Sequence, residues 1–199
     1  MSEQDKSVMA GDDLSPFARD LLRMNVQHSY TRLVAQGDGL AEAKAKLELA
    51  SPEQMVAGMI KRRDEARGML GGLWLYHDWL AEAHRIFQRI ESPTGSYWHA
   101  IMHRREGDFD NSKHWYAQAQ EHPLMQSMAQ YAASIVNPLP ADNLVLRMVS
   151  TGWNPAVYVD LVAAVHDQPD DPRHAAAVSL QQIEWRLLFD YCTRIAAHG

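Results

Sequence analysis

The feature that most constrains the fold of this 199-residue chain is a pattern of small and aromatic residues that recurs after 29 residues. The copies are Leu70-Gly71-x-x-Trp74 with Ala83-x-x-x-Phe87, and His99-Ala100-x-x-His103 with Ser112-x-x-x-Tyr116. Small residues let neighbouring helix backbones approach each other, and aromatic residues fill the gaps beside them. The pattern therefore predicts two consecutive helical hairpins between Leu70 and Pro123.

This pattern resembles the tetratricopeptide repeat, which pairs Leu-Gly-x-x-Tyr on one helix with Ala-x-x-x-Phe on the next and is often closed by a proline. Pro93 and Pro123 close the two copies here. The period of 29 is shorter than the ~34 of that repeat, and two copies are fewer than an open solenoid needs. The resemblance implies helical hairpins with a partner-binding groove, and we expect the repeat-like core, residues 66–123, to lie within a closed globule.

The second copy also resembles a segment of uncharacterised bacterial proteins. The shared letters follow the pattern SxWHAIMHRREGD, which here begins at Ser96. This resemblance implies no function.

Start and stop signals predict further helices on both sides of the repeat. Ser15-Pro16 and Asn154-Pro155 are helix starts, and Ser51 with Gln54 forms a capping box that predicts a helix with Met55, Met59 and Ile60 turned inward. A long C-terminal helix is expected at about 173–196. The predicted fold is all-α: tetratricopeptide-like antiparallel hairpins in a single domain over residues 14–199, after a disordered tail at 1–13.

Composition narrows the function classes. A net charge of −6 argues against a nucleic-acid partner, and no apolar run is long enough to predict a membrane span. The first residues lack the basic and apolar regions of a secretory signal, and a single cysteine, Cys192, fits a reducing compartment. We therefore expect a cytoplasmic monomer or homodimer. No phosphate loop or dinucleotide motif is present, so no cofactor is predicted.

Histidines are clustered in the repeat region: six of the ten fall between His77 and His122. His99 and His103 are four residues apart and share one helix face, which the repeat turns inward. The favoured interpretation is that a neighbouring carboxylate, a hydroxyl or a backbone carbonyl satisfies each of them. A metal ion would need a third ligand, for which His84, Glu82 and Asp78 are candidates. Ala100 stands where the helical zinc motif has its glutamate, so we predict no metal.

Arg104 and Arg105 are the second candidate group. By the resemblance, they lie where a repeat faces its groove, and a guanidinium can clamp the carboxylate of a protein, peptide or small acidic ligand. The alternative is a simple pair between Arg104 and Asp108, four residues apart.

The sequence thus favours a binding or interaction module over an enzyme. The alternative is a metal-assisted hydrolase with His99 and His103 as ligands. The predicted partner-binding face comprises nine residues: His77, His84, Trp98, His99, His103, Arg104, Arg105, Lys113 and Trp115.

Overall fold

The computed structural model describes residues 11–24, 26–27, 30–119, 122–139 and 142–199. These ranges contain ten α-helices and one 3₁₀ turn, Pro52–Gln54, and no β-strand. The all-α prediction is therefore confirmed. The helices are α1 Pro16–Arg23, α2 Ala41–Leu47, α3 Arg63–Tyr76, α4 Leu80–Phe87, α5 Pro93–Glu106, α6 Phe109–Gln118, α7 Leu124–Val136, α8 Asn143–Val149, α9 Pro155–Val165 and α10 Pro172–His198.

Two antiparallel hairpins, α3–α4 and α5–α6, form the centre of the fold, as the repeated pattern predicts. Helix α5 also packs against α3 and α4, which joins the hairpins into one core. Gly71 on α3 lies against the ring of Phe87 on α4, and the small Ala83 and Ala100 are fully buried. The Phe87 ring in turn stacks on Trp98 of α5 at a centroid distance of 5.5 Å. Small residues therefore do permit the close helix approach.

The fit at Gly71 gives a first prediction. Three atoms of the Phe87 ring lie within 3.0 Å of the position that a Cβ at residue 71 would occupy. Overpacking of this kind costs about 1–3 kcal/mol, and we expect the upper part of that range because the ring is stacked on its other side. Gly71→Ala should therefore lower the free energy of unfolding, measured in urea, despite the gain of about 1 kcal/mol in helix propensity.

Gly58 provides the control for this substitution. It is exposed, and a Cβ there would have no neighbour within 4 Å. Gly58→Ala should leave the unfolding free energy unchanged or slightly raised. Equal stability of the two variants would contradict the close packing of α3 on Phe87.

The helix predicted after Ser51-Pro52 is wrong beyond its first turn. The capping box between Ser51 and Gln54 forms, but the turn ends at Gln54. The chain then pairs with the segment before α1: the Ser15 N–H donates to the Met55 carbonyl, and the Ala57 N–H donates to the Asp13 carbonyl. These long-range bonds replace those of a helix, and Met59, expected to be buried, is 79% exposed.

The same contacts correct part of the predicted N-terminal tail. Residues 1–10 lie outside the described residues, but residues 11–13 are bound to the body of the protein. Besides the bond to Asp13, the Gly11 carbonyl accepts from the Arg19 side chain at 2.9 Å. Leu14, the first residue of the predicted domain, is buried.

Helix α10 lies across the bundle and contacts α3, α7 and α9. Its observed bounds, Pro172–His198, extend the predicted helix by a residue or two at each end. Asp171 caps it by accepting from the Arg173 N–H at 2.8 Å. The predicted long C-terminal helix is confirmed. No helix among the described ranges is both long and apolar enough to cross a bilayer.

Candidate metal centre

Three histidines from the two hairpins meet where α4 packs on α5. His84 is on α4, and His99 and His103 are on α5. Their ring centroids are 4.8 Å apart for His84 and His99, 4.9 Å for His99 and His103, and 5.1 Å for His84 and His103. Each residue offers one ligand atom, and these atoms lie within 4.8 Å of one another. No other group of three potential metal ligands of this kind occurs in the described part of the chain.

The local sequence explains why the cluster forms. The Ser92 hydroxyl caps α5 by accepting from the Gly95 N–H at 3.2 Å, and Pro93 occupies the first helical position. From this fixed start, residues 99 and 103 fall one turn apart on the same face. A Cβ at Gly95 would collide with the Ile90 carbonyl oxygen, so glycine is required where the α4–α5 loop meets the helix. The face that carries the histidines is thereby held against α4.

The inward orientation of His99 and His103 is confirmed, since they are 3% and 4% exposed. Burial, together with smaller effects of the adjacent His103 and His84, lowers the pKa of His99 to about 4. Burial also lowers the pKa of His103, although the nearby Glu106 opposes that effect. Both rings are therefore neutral at pH 7, the form in which imidazole donates a lone pair to a metal.

The two ring nitrogens of His103 have different partners. Nδ1 lies 3.2 Å from Oε2 of Glu106 and 3.9 Å from Oδ2 of Asp108. Nε2 lies 3.2 Å from the side-chain nitrogen of Asn111 on α6. Because a carboxylate accepts and an amide nitrogen donates, His103 carries its proton on Nδ1 and presents a lone pair at Nε2. A carboxylate on the far nitrogen is the usual arrangement around a metal-bound histidine.

His99 is less completely satisfied than His103. Its ring is sandwiched between Trp115, at a centroid distance of 4.0 Å, and His103. Its Nε2 is buried and has no hydrogen-bond partner among the described residues. The carboxylate, hydroxyl or carbonyl expected from the sequence is thus found for His103 but not for this nitrogen. A buried polar atom without a partner is costly and commonly indicates a missing ligand or water.

Of the three candidates for a third ligand, only His84 reaches the pair. Glu82 lies near two cations, Lys44 at 3.6 Å and Arg85 at 3.3 Å. Asp78 is paired with Arg105. His84 is half-buried, as is Trp115, so the cluster borders the surface on this side.

The prediction that Arg104 faces a groove is corrected by its complete burial. Its Nη2 donates to Glu184 of α10 at 2.6 Å, and Nη1 donates to the Tyr116 hydroxyl. The alternative pair with Asp108 is not what the structure shows either. The guanidinium also lies over the Tyr158 ring, 4.7 Å from its centroid. Arg104 therefore joins the hairpin core to the C-terminal helix and is closed to a partner.

Arg105 is likewise fully buried, which corrects its predicted role in carboxylate capture. It donates to Asp78 and to the Arg32 carbonyl, and its guanidinium is 4.5 Å from the centroid of the Tyr30 ring. All of these partners are internal. The carboxylate that this arginine binds belongs to the protein itself.

The other predicted face residues separate into different environments. His77 is buried and donates from Nε2 to the Leu21 carbonyl of α1 at 3.1 Å. Trp98 donates to the buried Cys192 sulfur at 3.4 Å. Lys113 pairs with Asp160 of α9 at 2.5 Å. The structure therefore brings together only His84, His99, His103 and Trp115 of the nine predicted residues.

Three residues that sequence reasoning missed are important here. Glu106 follows His103 by three residues, and Asn111 precedes Trp115 by four, so helical spacing from the named residues indicates both. Glu184 is an acidic residue between Ile183 and Trp185 on the last helix. An acidic residue among apolar neighbours indicates a buried carboxylate that needs a partner.

The chemistry open to the cluster follows from its dimensions. Three imidazoles bound tetrahedrally to one zinc ion, with Zn–N of about 2.0–2.1 Å, have ring centroids about 5.2 Å apart. The observed separations are close to this value, but His99 and His103 are nearly parallel, at 12°. One ring must turn about χ2 for both nitrogens to point at one ion.

Comparison with protein-family models, with curated proteins and with solved structures found no match for this chain.

Proposed function

We propose that this protein binds a divalent transition-metal ion, with zinc as the favoured ion, through His84, His99 and His103. The single observation that carries the proposal is the grouping of three imidazole rings from two helices, in which one ligand atom of each lies within 4.8 Å of the others. Neutral imidazole is a preferred ligand for zinc, copper and nickel, whereas magnesium and calcium require oxygen ligands. The three imidazoles therefore favour zinc, copper or nickel over magnesium and calcium.

The surroundings of the rings support the proposal in two ways. The Glu106 carboxylate holds His103 in the tautomer whose Nε2 carries a lone pair, which an ion can take in place of the Asn111 amide. The unpartnered Nε2 of His99 would gain the partner it lacks. A purely structural cluster explains the stacking of Trp115 on His99 but leaves that nitrogen unexplained.

Capture of an acidic protein or peptide, expected from the sequence, has less support than metal binding. Arg104 and Arg105, the residues meant to bind the carboxylate, are paired internally and closed to solvent. Metal binding would use the histidines of the predicted face and would not require the two arginines.

Metal content tests the proposal directly. We expect purified protein dialysed against zinc to retain one equivalent, measured by elemental mass spectrometry. His84→Ala and His99→Ala should each weaken zinc affinity by more than the roughly 10–100-fold that follows loss of an outer partner, because a ligand itself is removed. A competing chromophoric chelator gives the affinities.

His114→Ala is the matched control, because His114 is an exposed histidine on the neighbouring helix α6. It should bind zinc as the unmodified protein does. Zinc retention that is equal in all three variants, or absent from the unmodified protein, would refute the proposal.

A further inference from the structure

We infer that an ion bound by these histidines keeps one exchangeable position for water or a small monodentate anion, and that the Asn111 amide donates a hydrogen bond to that ligand. This inference rests on the proposed function. It is carried by three observations: the number of ligands within reach, the exposure of the cluster and the position of Asn111.

The protein supplies three ligands, fewer than a zinc ion takes. Glu106 and Asp108, the nearest carboxylates, both lie on the Nδ1 side of His103. The Nε2 lone pair points away from that side of the ring, so neither carboxylate is placed to bind an ion held by Nε2. A zinc ion with three protein ligands completes its tetrahedron with water or another exchangeable ligand, whereas structural sites have four protein ligands.

The fourth position borders the surface. His99 and His103 are almost fully buried, but His84 and Trp115 are half-buried and form the outer side of the cluster. Solvent therefore reaches the edge of the cluster.

Asn111 lies beside the fourth position. Its side-chain nitrogen is 3.2 Å from His103 Nε2, the atom that would bind the ion. Once the ion takes that lone pair, the amide loses its acceptor and stands next to the metal with free N–H groups. The side chain must move to admit the ion, but the start of α6 keeps it nearby, because the Asn111 backbone N–H donates to the Asp108 carboxylate at 3.2 Å. A neutral amide donor next to a metal suits hydroxide or a small anion.

Cobalt substitution with azide as the probe tests this inference. Four-coordinate Co²⁺ gives visible absorption bands that respond to exchange of one ligand, so azide should shift the bands of the Co²⁺-loaded protein. Removing a hydrogen bond to a charged ligand costs about 1.5–3 kcal/mol, so Asn111→Ala should weaken azide binding about 10–100-fold. Its Co²⁺ affinity should not fall, because the ion no longer displaces the amide.

Gln118→Ala is the control, since Gln118 is an exposed amide on the same helix. It should bind azide normally. Bands that do not respond to azide in the Co²⁺-loaded unmodified protein would overturn the inference and leave the proposed function standing. Unchanged azide affinity in Asn111→Ala would overturn the role of Asn111. Failure of the protein to bind either zinc or Co²⁺ would overturn both proposals.

Discussion

Replacement of Glu184 by alanine should lower the free energy of unfolding by about 3–5 kcal/mol, the cost of leaving a buried charge without its partner. Glu184 and Arg104 are both fully buried. The carboxylate also accepts from the hydroxyls of Tyr97 at 3.0 Å and Tyr116 at 2.8 Å. Burial and the nearby Glu184 raise the pKa of both tyrosines, so they remain protonated donors. Removal of one carboxylate therefore leaves three buried groups unsatisfied.

Urea unfolding at pH 7 measures this loss, with Glu53→Ala as the control. Glu53 pairs with Arg63 at 2.7 Å, but both side chains are at least half exposed, so water screens the pair and its loss should cost little stability. Replacement of both buried charges, Arg104→Met with Glu184→Leu, should recover part of the stability. A Glu184→Ala variant no less stable than Glu53→Ala would show that the buried network does not join α10 to the hairpins.

Mild acid should destabilise the protein strongly between about pH 6.5 and pH 4. His77 and His122 are both 3% exposed, and burial lowers the pKa of each to about 4. In the unfolded chain their pKa is about 6.5, so in this window the unfolded state binds more protons and acid favours it. The stability that these two neutral histidines contribute is therefore fully present above about pH 6.5 and is lost as the pH falls towards 4. One pKa unit corresponds to about 1.4 kcal/mol, so the two histidines account for about 3–6 kcal/mol.

Unfolding free energies at pH 7, 6, 5 and 4.5 test this expectation. His77→Gln with His122→Gln should start from a lower stability at pH 7 and lose less of it on acidification. Asp190 acts in the opposite direction, because burial raises the pKa of its carboxyl to about 6. The exposed His114→Gln should retain the steep dependence. A double variant with an unchanged pH slope would exclude His77 and His122 as the cause.

The hairpins were predictable because the signals that define them are local. Gly71 and Phe87 lie on two helices that are joined by one short turn. Helix-start signals such as Ser15-Pro16 act within a few residues. The segment after Gln54 was not predictable in this way. Its backbone hydrogen bonds go to residues 13–15, forty or more positions earlier, and they take the place of the bonds of the expected helix.

The candidate site was predictable only in part, for the same physical reason. Helical spacing places His99 beside His103, but the choice of His84 over Glu82 and Asp78 depends on the rotation of α4 against α5, which spacing along one helix does not determine. Arg104 was assigned to a groove because nothing near it in sequence indicates Glu184, 80 residues away on the helix that covers that face. The tetratricopeptide resemblance likewise contains no counterpart of α10.

The central claim is that three imidazoles hold one ion, and X-ray absorption spectroscopy of the zinc-loaded protein tests it most directly. The account predicts a four-coordinate ion with three imidazole nitrogens at about 2.0–2.1 Å, together with the outer-shell scattering of three rings, and one oxygen. His99→Ala should lose this signature. A shell made only of oxygen, or one with fewer than three imidazoles, would contradict the account.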